Sequence, residues 1–425
     1  MLDLRFIREH PDVVRQTLAQ KHVDVDFDAL LAHDQTRRNI ILKCDVLKAT
    51  RNDLSAQVGA LMKAGKHFEA EALKEKSALL GEEIGSLDEQ LRSIETVVET
   101  LRLYLPNVPH KSVPIGEEAD NIIMKTVGDA FTHPFQASDH LALGKAHGLF
   151  DFERGGKITG SGFPVYWGVG AQLERALIAY MLDLHTRVHG YVEVMTPFIV
   201  NRESMRGTGQ VPKFEEDMYR CDTDDLFLIP TAEVPVTNLH RDEILEFDAL
   251  PVRYCAYSPC FRREAGSYGA DTRGFLRVHE FNKVELVWFT EGRAEVSYRA
   301  HEELLYHAEQ VLKGLGLTYR VKLLATGDLS FSAAKCYDLE AFAPVENKWL
   351  EVSSVSNFED FQARRANIKH KVSGAKSQFV HTLNGSGLAT SRVWVSLLET
   401  YQNADGSITV PTVLRPWMDG RERIG

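Results

Sequence analysis

Cysteine is scarce in this chain: five residues in 425 (Cys44, Cys221, Cys255, Cys260 and Cys336), an odd number and widely scattered. That excludes a disulfide framework. It also excludes a zinc site built on cysteine pairs, because only Cys255 and Cys260 lie close and no histidine pair stands near them. They read as small buried hydrophobes or free thiols in a reducing compartment. An excess of positive charge is missing too. With 49 Lys and Arg against 60 Asp and Glu the formal charge is −11, so any nucleic-acid site must be a local basic patch on a repulsive background. No apolar run approaches the roughly eighteen residues of a membrane span. The stretch Met1 to His10 lacks the apolar core of a secretory signal, so the expected compartment is the cytosol. There is no Gly-x-Gly-x-x-Gly and no Walker lysine loop, which argues against a Rossmann or P-loop nucleotide site. At 44% apolar and 26% charged the composition is that of an ordinary globular protein, long enough for two or three domains.

Proline is absent between Asp12 and Leu105, and this stretch carries two apolar ladders. One runs Ile40, Cys44, Leu47, Arg51, Leu54, Val58, Leu61; the other Leu73, Ser77, Leu80, Ile84, Leu87, Leu91, Ile94, Val98, Leu101. Both step four and three alternately, a heptad seam interrupted only by Arg51 and Ser77. Ala64 to His67 leaves room for no more than a tight reversal, so the helices are expected to run antiparallel. Each arm, of roughly 34 residues, would extend about 50 Å. A two-helix rod has no core beyond its seam, so it is expected to project from a body. Residues 36–66 carry seven basic side chains against two acidic, and residues 69–102 nine acidic against four basic. The ordinary explanation is pairing between the helices. The functional one is a basic edge and tip that attract a phosphate backbone.

A proline-punctuated linker, Leu105 to Pro114, marks the expected domain boundary. Beyond it, strand-like and helix-like segments alternate. Leu173 to Leu184 make a helical face and Tyr191 to Met195 a strand stopped by Thr196-Pro197. Residues 301–314 form an amphipathic helix closed by Gly314. Val252–Arg263 and Phe275–Phe289 read as an antiparallel hairpin around a polar loop, Ala265 to Gly274. The pattern predicts an α+β fold on an antiparallel sheet. On the hairpin, strand period two gathers Arg262 and Glu264 with Arg277, Phe281 and Glu285 on one surface. Two guanidinium forks, an aromatic ring and two carboxylates suit a nucleotide: arginine matches phosphate oxygens and the ring stacks on a base.

These residues carry a resemblance. Phe261-Arg262-Arg263-Glu264, then Arg277-x-x-x-Phe281-x-x-x-Glu285, resembles the second signature motif of class II aminoacyl-tRNA synthetases. The segment reaching Pro197 resembles their first motif, and Gly385-Ser386-Gly387 through Arg392 their third. The antiparallel rod, Thr208 to Phe214, Thr231-Ala232-Glu233, Glu351 to Ser354 and His381 to Ser386 make the chain similar, within that class, to the bacterial-type seryl-tRNA synthetase family over nearly its whole length. Ser391 departs from the pattern: the family commonly has glycine there, and serine is expected to crowd the turn slightly.

The resemblance implies a class II catalytic domain at 111–425 behind an N-terminal tRNA-binding domain at 1–110, whose coiled coil spans about 36–102. It implies ATP-dependent attachment of L-serine to tRNA(Ser) through a seryl-adenylate, with tRNA(Sec) as a further acceptor, Mg²⁺ beside ATP, no zinc, and a homodimer joined through the first motif. By the same resemblance Arg262 and Arg392 are catalytic, and Thr231, Ala232, Glu233, Arg262, Glu285 and Ser386 hold serine. ATP falls to Arg262, Arg263, Glu264, Val278, Phe281, Glu351, Val352, Ser353, Ser354 and Arg392, with Glu351 and Ser354 as oxygen ligands for the metal. Lys43, Lys48, Lys63 and Lys66 on the rod are candidates for tRNA phosphates, with Arg51 weaker because it sits in the seam. In the loop Ser267–Arg273, Arg273 is placed for the acceptor end. The serine carboxylate is already an anion, so the chemistry needs no general base, and His279 and His381 read as structural. Two rival readings are a non-catalytic binding protein using the rod as an interaction arm, and an enzyme loading a small amino acid onto a carrier protein.

Overall fold

The two heptad ladders belong to two helices of 37 residues each, α1 (Phe27–Lys63) and α2 (His67–Leu103). Asp26 starts α1 by accepting a hydrogen bond from the Ala29 amide at 2.9 Å. The chain reverses through Ala64–Lys66, where Gly65 takes φ +75°. At 1.5 Å per residue each helix is about 55 Å long. Cys44, Ile84, Leu87 and Val98 are buried in the seam, and most positions between seam residues are exposed. Much of the charge asymmetry is pairing: Lys43 meets Glu83 at 2.7 Å, Lys48 meets Asp88 at 3.1 Å and Arg37 meets Glu95 at 3.7 Å.

This computed structural model describes residues 1–265, 273–372 and 374–425, and the chain divides into two compact units. The helical pair lies in the smaller, Leu2–Leu18 with Val23–Leu105; the larger holds Pro106–Gly425 with Met1 and Ala19–His22.

The larger unit is organised by an eight-stranded sheet. Its strands are β1 (Ile122–Val127), β2 (Val192–Glu193), β3 (Val252–Phe261), β4 (Glu280–Thr290), β5 (Tyr319–Leu323), β6 (Lys335–Ala343), β7 (Lys348–Glu359) and β8 (His381–Ala389). In space they run β1-β5-β6-β7-β8-β4-β3-β2, every neighbour antiparallel except the parallel pair β2–β3. Three helices, α3 (Val169–Asp183), α4 (Ala294–Leu315) and α5 (Thr390–Tyr401), share one apolar core with the sheet.

Strand parity decides which side chains face that core. On β4, Val284, Leu286 and Trp288 join the helical core, while Val287 and Phe289 join a smaller cluster with Ala232, Val236 and Ala363. Each fully buried Leu or Val contributes about 1.5–3 kcal/mol. Lys283 and Glu285 have the parity of Val287, so they stand on the face away from these three helices and line the cavity described below.

Three boundaries differ from the sequence pattern. β3 and β4 stop short of the loop: Gly274–Leu276 form a 3₁₀ turn and Glu264 sits at φ +52°, outside the strand region. α4 begins at Ala294 and ends on Gly316 at φ +67°, not on Gly314. Gly314 lies inside the helix, where a Cβ would come within 1.9 Å of the Tyr180 hydroxyl. The strand expected at Tyr191–Met195 pairs only over Val192–Glu193.

Candidate active site

A cavity of about 590 Å³ opens beside Lys283 and Glu285 on the sheet, and the first turn of α5 reaches its wall through Ser391 and Arg392. Most of the predicted residues line it: Thr231, Glu233, Arg262, Glu264, Val278, Phe281, Glu285, Glu351, Val352, Ser353, Ser354, Ser386 and Arg392. Among the lining residues Arg263 and Ala232 do not appear. The Arg263 guanidinium turns outward and donates to the Glu216 carbonyl at 2.8 Å, and Ala232 is fully buried. Arg273 sits apart as well, bound to Asp139 at 3.0 Å and paired with Glu346. Ser267 to Thr272, the rest of the predicted acceptor-end loop, lies outside the described residues.

One end of the cavity is built on β4 and β8. Glu285 and Ser386 are direct cross-strand partners, so a hydroxyl donor and a carboxylate stand side by side. Lys283, two residues before Glu285 on the same strand face, pairs with Glu285 and donates to the Thr231 hydroxyl at 2.8 Å. Glu233 is buried and accepts from the Gln362 amide at 2.6 Å. Burial, reinforced by the nearby charge of Glu285, pushes its carboxyl up to about 7. Burial also raises the Glu285 carboxyl, with the Lys283 ammonium opposing. This end has the charge and donors to hold a small zwitterion carrying a hydroxyl.

The other end is built on the mouth of the hairpin and on β7. The Arg262 amide donates to the His279 carbonyl at 2.9 Å, and its guanidinium lies 5.2 Å from the centre of the Phe281 ring. Arg277 pairs with Glu264. Glu351 and Ser354 are three apart, which would put them on opposite faces of a regular strand. They face the same way because the ladder between β6 and β7 skips Val352: Leu339 pairs Ser353 and Glu340 pairs Glu351. The Ser354 hydroxyl donates to Asp338 at 2.5 Å and lies 3.3 Å from Glu351. Burial and the charge of Glu351 push the Asp338 carboxyl up. Two carboxylates around one hydroxyl are a hard-oxygen set that fits Mg²⁺. Arg392, in the first turn of α5, donates to the Leu276 carbonyl at 3.1 Å and the Glu351 carbonyl at 3.0 Å.

Ser391 is buried on the cavity wall. Close backbone approach in this turn falls on Gly387, where a Cβ would lie 2.8 Å from His185 Nε2. His279 Nδ1 bonds the Arg262 carbonyl at 3.0 Å and His381 Nδ1 bonds Ser297 at 2.8 Å, both backing the site without entering the cavity lining. Sequence reasoning missed Lys283, Asn384 and Asp338. The first two were available from strand parity, each two residues before a predicted site residue. Asp338 was not, since only the cross-strand register brings it to Ser354.

Residues 1–109 match the family described as seryl-tRNA synthetase N-terminal domain, and residues 214–401 match tRNA synthetase class II core domain (G, H, P, S and T). The serine–tRNA ligase of Chlorobaculum parvum is 55% identical over 423 residues, 98% of each chain. Seryl-tRNA synthetase from Pyrococcus horikoshii, solved with ATP, superposes with a TM-score of 0.93 at 34% identity, covering 100% of this chain and 99% of that one. The cytoplasmic serine–tRNA ligase of Naegleria fowleri, solved with AMP, gives 0.88 at 29% identity, covering 100% and 98%.

Proposed function

The chain belongs to the seryl-tRNA synthetase family of class II, and from that premise we propose how its own residues carry the reaction. The enzyme attaches serine to tRNA using ATP. The single observation that carries the residue assignment is that one cavity holds a zwitterion-and-hydroxyl end and a guanidinium–ring–carboxylate end.

In the first step the serine carboxylate attacks the α-phosphorus of ATP and pyrophosphate leaves. Thr231 and Glu233 receive the ammonium, and Glu285 with Ser386 the hydroxyl. Phe281 lies under the adenine, with Glu264, oriented by Arg277, at its edge. Arg262 spans the two reacting anions, and Arg392 meets the outer phosphates. Positioning and charge neutralisation supply the rate. Glu351 and Ser354, with Asp338 behind them, would hold Mg²⁺, which when bound neutralises phosphate charge. In the second step a ribose hydroxyl at the tRNA 3′ end attacks the activated carbonyl, giving the seryl ester and AMP. Alanine is rejected because it would leave the buried Glu285 site without its hydroxyl donor. Amino-acid-dependent exchange of pyrophosphate into ATP, run across all twenty amino acids, tests this reading; serine alone should support it, and exchange driven by another amino acid would overturn it.

Residues 1–110 serve as the tRNA-binding domain and 111–425 as the catalytic one. We take the acceptors to be tRNA(Ser) and tRNA(Sec), the working state to be a homodimer, and the compartment to be the cytoplasm. In support of the dimer, Val188, Val192 and Met195, beside the first-motif proline, are 70%, 59% and 85% exposed. In support of the compartment, all five cysteines are free thiols. The two rival readings are not favoured: full-length relatives at 52–55% identity carry the name serine–tRNA ligase.

On the arm, Lys43, Lys48 and Lys66 share their charge with Glu83, Asp88 and Glu69, whereas Lys63 has no partner among the described residues. Lys63→Glu is therefore the cleanest probe of phosphate contact. It should weaken tRNA charging and lower the slope of log(kcat/KM) against log[salt] by about one unit, leaving exchange unchanged.

Glu233 gives a pH test. Its carboxyl stays protonated up to about 7 in the folded protein against 4.5 unfolded, so its contribution to stability is full below 4.5 and is lost as pH rises to about 7. Serine binds the ionised form through its ammonium. The KM for serine should fall between pH 6 and 8, and the rise in Tm on adding serine should grow over the same interval. Glu233→Gln should flatten both profiles.

A further inference from the structure

Glu174 is not among the residues assigned above. It lies on α3 and is 4% exposed, and its carboxylate collects three donors from two other elements. One oxygen accepts from Asn282 Nδ2 at 2.7 Å and from the Thr390 hydroxyl at 2.7 Å; the other accepts from Trp394 Nε1 at 2.6 Å. Asn282 sits on β4 between Phe281 and Lys283. Thr390 and Trp394 flank Arg392 in the first turns of α5. The knot extends further, since Tyr257 donates to the Asn282 side chain at 2.9 Å and the Thr390 hydroxyl also reaches the Asn282 carbonyl at 3.1 Å.

A carboxylate without a cation at this depth is costly unless hydrogen bonds satisfy it. Only an acceptor-only group can take all three donors at once; a glutamine would turn its own N–H₂ toward at least one of them. We infer that Glu174 is a positioning residue for ATP, fixing the start of α5 against β4 so that Arg392 and Phe281 keep a set separation across the nucleotide site. Arg392 depends on this more than on its own contacts, which are two backbone carbonyls, of Leu276 and Glu351, and the Glu351 carboxylate at 3.5 Å. The serine end, built on Thr231, Glu233 and Glu285, does not touch Glu174.

The inference rests on the proposed adenylation chemistry, so wild-type serine-dependent exchange is the control: without it, that reading fails rather than this one. Given that activity, Glu174→Gln should raise the KM for ATP and lower kcat, each by about tenfold, as expected for a sub-ångström displacement of a charge-stabilising group. The KM for serine should stay within about twofold. In an Arg392→Ala background the same change should cost less than about twofold more, because residues acting through one another are not additive. Full multiplication of the two effects, or equal rises in both KM values, would overturn the inference. Should Glu174→Gln fail to fold, Thr390→Val removes one donor and leaves the carboxylate in place. It should give the same ATP-over-serine split at about threefold, and no split would overturn the inference equally.

Discussion

Arg262→Ala is expected to bring serine-dependent pyrophosphate exchange down by at least about a thousandfold while the protein stays folded. The size follows from where the guanidinium stands. It lies beside the Phe281 ring at 5.2 Å, and no carboxylate pairs with it among the described residues, whereas Arg277 is spent on Glu264. A solvent-exposed arginine on the cavity wall with no protein anion beside it is available to a substrate anion. Here two anions, the serine carboxylate and the α-phosphate, must be brought together against their own repulsion. Removing one donor of an oxyanion site costs about 10²–10³ in rate, and this residue would serve both reacting partners. The fold should tolerate the loss, since what the surroundings take from Arg262 is its backbone, through the hydrogen bonds with His279; Tm should shift by no more than a few degrees. Lysine should not rescue the enzyme, because a point charge cannot bridge two anions as a planar guanidinium fork does. Exchange within tenfold of wild type would remove Arg262 from its assigned role.

The contrast between Arg262 and Glu174 shows how far the sequence could be read. Arg262, Phe281 and Glu285 are legible because they share a strand-period pattern with a distinctive composition, and composition of that kind is rarely neutral. The two helices are legible because a heptad seam leaves one apolar stripe on an otherwise charged surface. Glu174 had no such signal: a lone acid on an amphipathic helix reads as an exposed side chain, and only the packing of α3 against β4 and α5 turns it inward. The same holds for Asp338, brought to Ser354 by register, and for Glu351 with Ser354, which a strict two-residue alternation puts on opposite faces until the skipped Val352 realigns them. Strand ends at the hairpin mouth were misplaced for a related reason. Alternation continues through Arg262 and Glu264, but the backbone turns at Glu264 because the chain there is shaped around the cavity rather than around a ladder.

Deleting residues 36–102 and joining Gln35 to Leu103 through a short glycine–serine link should lower tRNA charging, measured as kcat/KM for tRNA, by about a thousandfold or more and leave serine-dependent exchange within about threefold. The deletion is informative because it is electrically neutral. The segment carries eleven basic and eleven acidic residues, so (49 − 11) − (60 − 11) leaves the formal charge at −11. A fall in charging could not then be ascribed to a changed global field. What disappears is most of the helical pair, about 42 Å of α1 and about 54 Å of α2, with the basic side chains along α1 and at the tip. Recognition of an RNA by shape needs such a surface of fixed length more than it needs net charge. The adenylation cavity has no lining residue within 36–102, so its chemistry has no direct reason to change. Equal loss in both assays would mean that the helical pair stabilises the enzyme instead of reading its RNA. Unchanged charging would mean that tRNA is held by the catalytic unit alone, and the basic residues of α1, already half committed to Glu83 and Asp88, would be pairing partners and nothing more.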